Sequence, residues 1–255
     1  MKRVILCALL VLFSAATLNA EESRFPDLGN IDLGGLGAVL EALQKPAASQ
    51  SQYQFDIVVK AEVMDYGRNK QRSLTYAVSD DAIYAEIDAD RTMVMDFVNE
   101  SMVTIDPQKG TKQVMSTALF KQAMALGKNF LGDEMASFKV DNVSKVGESQ
   151  PLLGYETELW RLSSEDNQAD ARIATAIDFD LAAYGDRVAK MFGMTPGALF
   201  ADFSEATAEI PNGLPLHMIN YENGKKDTEL TVTSVDESGM TLDLSAYRSK
   251  SMLGN

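Results

Sequence analysis

A chain of 255 residues carries 37 acidic and 23 basic side chains, a formal net charge of −14. That balance repels nucleic acid and anionic lipid headgroups, so neither is expected as a partner. One cysteine and one histidine are too few for a disulfide framework or a transition-metal site built from those ligands.

The chain opens on "MKRVILCALLVLFSAATLNA". Lys2 and Arg3 form a positive n-region, Val4 to Phe13 an apolar run, and Ala20 a small residue before "EES". This layout predicts a secretory signal peptide over 1–20, cleaved after Ala20, with Ala16 as the alternative site. The apolar run is too short to span a bilayer, which takes about 20 residues, and no later segment is long and apolar enough. Cys7 lies inside the run, so the mature chain is expected to lack disulfides and a thiolate nucleophile. A periplasmic or secreted location follows. Roughly 235 residues remain, enough to bury a core without covalent staples.

Residues 21–52, with "LGNIDLGGLGAVLEALQKPAASQSQ" at their heart, read as a flexible leader. The "GGLG" within it lacks the preceding strand and the following Lys-Ser/Thr of a phosphate loop. A single domain is expected over 53–255. It starts with "YQFDIVVKAEVMD", where Phe55, Ile57, Val59, Ala61 and Val63 alternate with polar residues. A period of two predicts one half-buried antiparallel strand.

"QRSLTYAVS", "DAIYAEID", "RTMVMDFV", "SMVTID" and "TKQVMST" follow at close spacing, which predicts a six-strand meander. In "DPQKG", Pro107 and Gly110 occupy positions that a tight turn favours. "ALFKQAMALGKNFLG" changes to helical spacing and predicts a helix over 118–131. Strands are expected in "ASFKVDNVSKVG", "YETELWRLSS" and "ARIATAIDF". A second helix is expected over 181–193, "DLAAYGDRVAKMFG", with Val188, Met191 and Phe192 inward. "LPLHMINYE", "DTELTVTSVD" and "MTLDLSAY" close the chain, and the Asn-Gly of "ENGKK" signals a hairpin. The expectation is an α+β fold, mostly antiparallel sheet, with two or three helices on one face.

Reactive side chains are scarce. His217 alternates with Leu216 and Met218 in a strand pattern, and no Gly-x-Ser-x-Gly elbow accompanies it. Asp88 and Asp90 in "IDAD", and Asp178 and Asp180 in "IDFD", do not extend into a calcium loop. Asp-x-Asp pairs at strand ends commonly serve turns. No catalytic residue, metal or cofactor is expected, and the protein reads as a non-enzyme.

A signal peptide, the meander "SLTYAVSDDAIYAEIDADRTMVMDFVNESMVTIDPQKGTKQVM" and the strand "GYETELWRL" with Trp160 together resemble a family of secreted bacterial domains of unknown function. That family lies near the periplasmic lipoprotein-carrier (LolA-like) superfamily, and the resemblance spans roughly residues 53–185. It implies a curved antiparallel half-barrel whose concave side is plugged by helices and accepts acyl chains.

The methionines bear on that implication. There are 13, generous for a chain of this length. Met93, Met95 and Phe97 alternate onto one face, and Met102 follows in the next predicted strand. Phe120 and Met124 lie on the first predicted helix, Met191 and Phe192 on the second. Flexible, polarizable thioethers suit a surface that repacks around variable partners, and these eight residues are the expected wall of an apolar ligand cavity. An ordinary helix-on-sheet core with Met as filler explains the same pattern. Two functions therefore stand: a non-catalytic carrier for a lipid or acyl-chain ligand, or a cell-envelope protein–protein interaction module with a filled core.

Overall fold

The computed structural model describes residues 47–88, 91–118, 142–147, 150–164, 167–191 and 210–250. The signal peptide, the leader as far as residue 46, the predicted first helix beyond Ala118, and Phe120, Met124 and Phe192 lie outside them.

The expected meander forms. Strands β2 (Ile57–Asp65), β3 (Lys70–Val78), β4 (Ala82–Asp88), β5 (Arg91–Asp96), β6 (Ser101–Asp106) and β7 (Thr111–Ser116) pair in sequence order, each antiparallel to the next. The β6–β7 turn is tied by the amide of Lys109 donating to Asp106 Oδ1 at 2.9 Å, and Gly110 takes a φ of 58°. A glycine reaches that left-handed conformation without a Cβ penalty.

The sheet continues on the other side of β2. In chain order come β8 (Asn142–Lys145), β9 (Gln150–Leu152), β10 (Tyr155–Ser163), β11 (Asn167–Ala174), β12 (Leu214–Glu222) and β13 (Lys225–Asp236). Strand β13 pairs with β2, then β12, β11 and β10 follow outward, with β8 and β9 sharing the far side of β10. Asn223 and Gly224, at φ 50° and 73°, form the predicted β12–β13 hairpin turn. At the opposite end β15 (Arg248–Ser249) adds to β7 in parallel.

"YQFDIVVKAEVMD" is not one strand. The chain breaks at Asp56, whose amide donates to the Val78 carbonyl at 2.9 Å. Before the break, β1 (Gln52–Phe55) pairs with β14 (Met240–Asp243) as a separate two-stranded sheet. Phe55 and Ile57 therefore enter different cores. One core holds Ile57, Val59, Ala61, Tyr76, Val78, Ile83, Met93 and Met95, together with the inner residues of β10–β13. The other lies on the opposite face of β3–β6, where Tyr53, Phe55 and Leu244 cover Ala77, Tyr84, Val94, Val103 and Ile105. Central strands buried on both faces read as near-continuous apolar runs instead of clean alternation, as "AIYA" and "MVM" do.

The α+β expectation is corrected by this architecture. Among the described residues there are fifteen strands and one helix, α1 (Leu181–Met191). The sheet is open: its end strands β15 and β8 do not pair. Among the described residues, one cover of the sheet is α1 and the other is a β layer, in place of two or three helices on one face of a half-barrel. The physical reason is that the sheet is apolar on both faces, and short segments at the leader boundary and near the C-terminus pair with each other to cover the face that the sequence reading had left without a cover. Helix α1 itself matches expectation. The Asp180 carboxylate accepts from the amide of Ala183 at 2.9 Å, an N-cap bond, and Tyr184, Val188 and Met191 face inward at helical spacing.

Where the β13–β14 turn passes under β1, Gly239 has a φ of 73°, and a Cβ there would sit 2.0 Å from the Phe55 carbonyl oxygen. Gly224 has the same φ with open space around it. Gly239→Ala is expected to lower stability by more than about 1 kcal/mol and by clearly more than Gly224→Ala. Urea unfolding of both variants checks this, and equal losses would contradict the close approach.

Candidate functional site

A pocket of about 220 Å³ lies where three elements meet: Asp80 and Asp81 of the β3–β4 turn, Phe97, Val98 and Glu100 of the β5–β6 turn, and Arg187, Lys190 and Met191 of α1. Backbone bonds set the turns against each other. The amide of Phe97 donates to the Asp81 carbonyl at 2.9 Å, and that of Ser79 to the Ala82 carbonyl at 3.0 Å. On its other side the β5–β6 turn is held to β7 by Thr117, whose hydroxyl donates to the Glu100 carbonyl at 2.8 Å.

Helix α1 is fixed in turn by Tyr184, which stacks on Phe179 with ring centroids 4.9 Å apart. Burial pushes the Tyr184 hydroxyl up to about 12, so it remains protonated at neutral pH. The Arg187 guanidinium lies over the same ring, 5.1 Å from its centroid, and donates from Nη2 to Asp80 Oδ1 at 2.8 Å. Its Nη1 is enclosed, with no hydrogen-bond partner among the described residues. The lining thus joins apolar side chains of the β5–β6 turn and α1 to cations of the helix and carboxylates of the two turns.

Five of the eight predicted cavity residues are described. Met93, Met95 and Met191 are buried in the larger core, and Phe97 and Met102 pack against it half-buried. Only Phe97 and Met191 reach the pocket. Met93 and Met95 are 4% and 2% exposed and belong to the larger core, outside the pocket's lining. Sequence reading missed Val98, Asp80, Asp81, Arg187 and Lys190. Val98 was read as the end of a strand that in fact stops at Asp96. The charged residues have no spacing signal, because three separate elements bring them together.

His217 sits on the opposite face of the sheet, as its alternation with buried Leu216 and Met218 requires. Its Nε2 lies 2.8 Å from Glu229 Oε1, while Tyr66 Oη and Lys226 Nζ donate to Glu229 Oε2. Burial pushes the Glu229 carboxyl up, but bonds from Tyr66, His217 and Lys226, with the Lys226 charge, outweigh it and hold the group down at about 2. The arrangement reads as a polar cross-strand tie. Among the described residues no three His, Cys, Asp or Glu side chains converge on a point suited to a metal, and no helix is long and apolar enough to cross a membrane.

No protein-family model matches the sequence, and no curated protein matches it. Among solved structures the chain is similar to PNGF-II in space group C2, with 13% identity and a TM-score of 0.33, over 79% of this chain and 32% of that one. PNGF-II in space group P21 gives 12% identity and 0.33, over 80% and 32%. MucB, in a crystal structure of its complex with MucA(peri), gives 10% and 0.32, over 80% and 54%. The chain thus spans about a third of the PNGF-II chains and about half of the MucB chain. Likenesses of this degree carry neither fold nor function across.

Two measurements follow from these environments. Met95→Ala is expected to cost about 2–5 kcal/mol in urea unfolding, since a packed thioether leaves a cavity; Met95→Trp should cost about 1–3 kcal/mol by overpacking. A loss well under 1 kcal/mol for both would show that the space behind the pocket is loose. For Glu229, the folded value of about 2 lies below the ordinary 4.5. Its contribution is thus fully present above pH 4.5 and lost as pH falls through about 2. Glu229→Gln should remove that portion of the acid sensitivity, so the stability gap between wild type and variant narrows from pH 5 to pH 2. A constant gap would contradict the assignment.

Proposed function

We propose that this protein is a non-catalytic binding protein of the periplasm or cell exterior, and that its ligand places an apolar group in the pocket between α1 and the β5–β6 turn. The observation that carries this reading is the meeting of Phe97, Val98 and Met191 with charged side chains around one pocket. Binding sites are typically concave and apolar with a few placed polar groups. Met191, the methionine that lines it, supplies adaptable packing. The one histidine supports a non-catalytic role, because its Nε2 is engaged by Glu229 on the face away from the pocket.

The volume narrows the ligand. About 220 Å³ is below the roughly 300–1,000 Å³ of drug-sized sites, so the pocket takes a chain end or a short amphiphile and not a whole lipid. A second reading, an envelope interaction module, is favoured by Val98. It is 61% exposed at the pocket's lip, where an apolar side chain of a partner protein would cover it.

Methyl NMR of the full mature chain, with labelled methionines, tests the first reading. Titration with 1-octanol should shift the Met191 methyl saturably and leave Met64, on the distant β2, unmoved. Val98→Asp, an exposed change that leaves the core intact, should abolish the shift. An unmoved Met191 in the wild type overturns the pocket as an apolar binding site and leaves the interaction module as the better account.

A further inference from the structure

Methionines fall into register at the end of the meander. Met102 of β6 lies directly opposite Met115 of β7, and on its other side opposite Met95 of β5. The three occupy the face of the sheet away from the β1–β14 layer. Their surroundings differ. Met95 is 2% exposed and belongs to the larger core, whereas Met102 and Met115 are half-buried. Met102 packs against that core; among the described residues Met115 neither belongs to a core nor packs against one. Core packing therefore accounts for Met95 and leaves the Met102–Met115 pair without a reason.

Directly opposite residues of an antiparallel pair hold their Cβ atoms about 4.5–5.5 Å apart. Side chains that stand parallel from such a pair bring their sulfurs to a similar spacing. A metal–sulfur bond is about 2.3 Å, so an ion in line between two sulfurs spans about 4.6 Å. Soft thioethers select soft ions such as Cu(I), and these ions accept two ligands in line. The chain offers few rival soft ligands. Its one cysteine, Cys7, lies in the predicted signal peptide, and its one histidine is engaged by Glu229. We infer that Met102 and Met115 form a binding site for a soft monovalent cation, Cu(I) or Ag(I). Neither residue lines the pocket, so the site stands apart from the apolar binding reading. The pair brings no charge of its own, and the formal −14 of the chain favours a cation over an anion. A thioether has no proton to lose, so binding does not weaken in mild acid as it does for thiolate, imidazole or carboxylate ligands.

Silver nitrate, titrated into the full mature chain in chloride-free buffer with labelled methionine methyls, tests the pair. Met102 and Met115 should shift together and saturate at one ion per chain. Met64 is the control: it is also half-buried, but it lies opposite Gln71 and Glu229, with no thioether across either strand. Met102→Leu and Met115→Leu conserve volume. Each should weaken silver binding at least about tenfold, since the loss of an outer-shell partner alone costs about 10–100-fold. Met95→Leu and His217→Gln should leave the affinity unchanged, and pH 5 should give the same affinity as pH 7. A Met64 shift over the same range overturns the paired site, as does an affinity that falls with only one of the pair variants. It is overturned equally if His217→Gln or the lower pH weakens binding, or if neither Met102 nor Met115 shifts.

Discussion

One buried carboxyl group holds the working end of this molecule in shape. Asp96 is wholly buried and accepts from Tyr53 Oη at 2.8 Å, from the Asn99 amide at 2.9 Å, from Asn99 Nδ2 at 2.7 Å and from the Gln50 amide at 3.4 Å. A buried polar group without such partners costs several kcal/mol, so the surrounding chain must converge on it. Asn99, bound twice, closes the turn after β5. That closure returns Phe97 to the core, leaves Val98 outside and places Glu100 at a φ of 46°. Tyr53 anchors β1 from the other side. Burial first, then the Asp96 carboxylate, push the Tyr53 hydroxyl far up, so it stays a donor. The pocket's lip and the second β layer therefore depend on the same group.

Two adjacent cross-strand rows show why the meander needs two covers. Val58, Ala77, Tyr84, Val94, Val103 and Val114 align across β2–β7 on the face beneath β1 and β14. Displaced by one residue in each strand, Ile57, Val78, Ile83, Met95, Met102 and Met115 align on the opposite face. A one-residue offset reverses the face, so every strand here carries apolar neighbours pointing both ways. The second row changes from branched aliphatics to methionine at β5, on the side where the turn carrying Phe97 meets α1. Branched side chains fit a regular pleated surface, whereas the thioether fills the irregular space between sheet and helix. A flexible residue in a strand is thus explained by what lies over that strand.

The meander was legible because its strands are local: short runs, tight turns and the Pro107–Gly110 and Asn223–Gly224 signals fix them without distant partners. Helix α1 was legible from its spacing. The break at Asp56 was not, because Phe55 and Ile57 keep a period of two while the chain bends between them. Nor was the β1–β14 layer, whose four-residue strands find each other across most of the chain; Thr241 Oγ1 donates to Gln54 Oε1 at 2.8 Å over 187 residues of separation. The second cover of the sheet was missed for that reason. At the site, Phe97 and Met191 were readable as apolar-face residues. The ion pair of Arg187 with Asp80, 107 residues apart, is a product of tertiary structure and left no local trace.

The charge of the whole chain and the charge of the pocket act on different length scales. At physiological ionic strength, exposed charges are screened over about 8 Å, so the formal −14 steers a ligand only weakly and in the direction that opposes anions. Inside the pocket the separations are those of contact, and the guanidinium is already fixed by Asp80 and Tyr184. A ligand of the proposed kind would have to leave that ion pair intact, because a buried charge stripped of its partner is costly. The acidic surface therefore opposes small anions only weakly, and any selection by the proposed pocket rests on contacts within it.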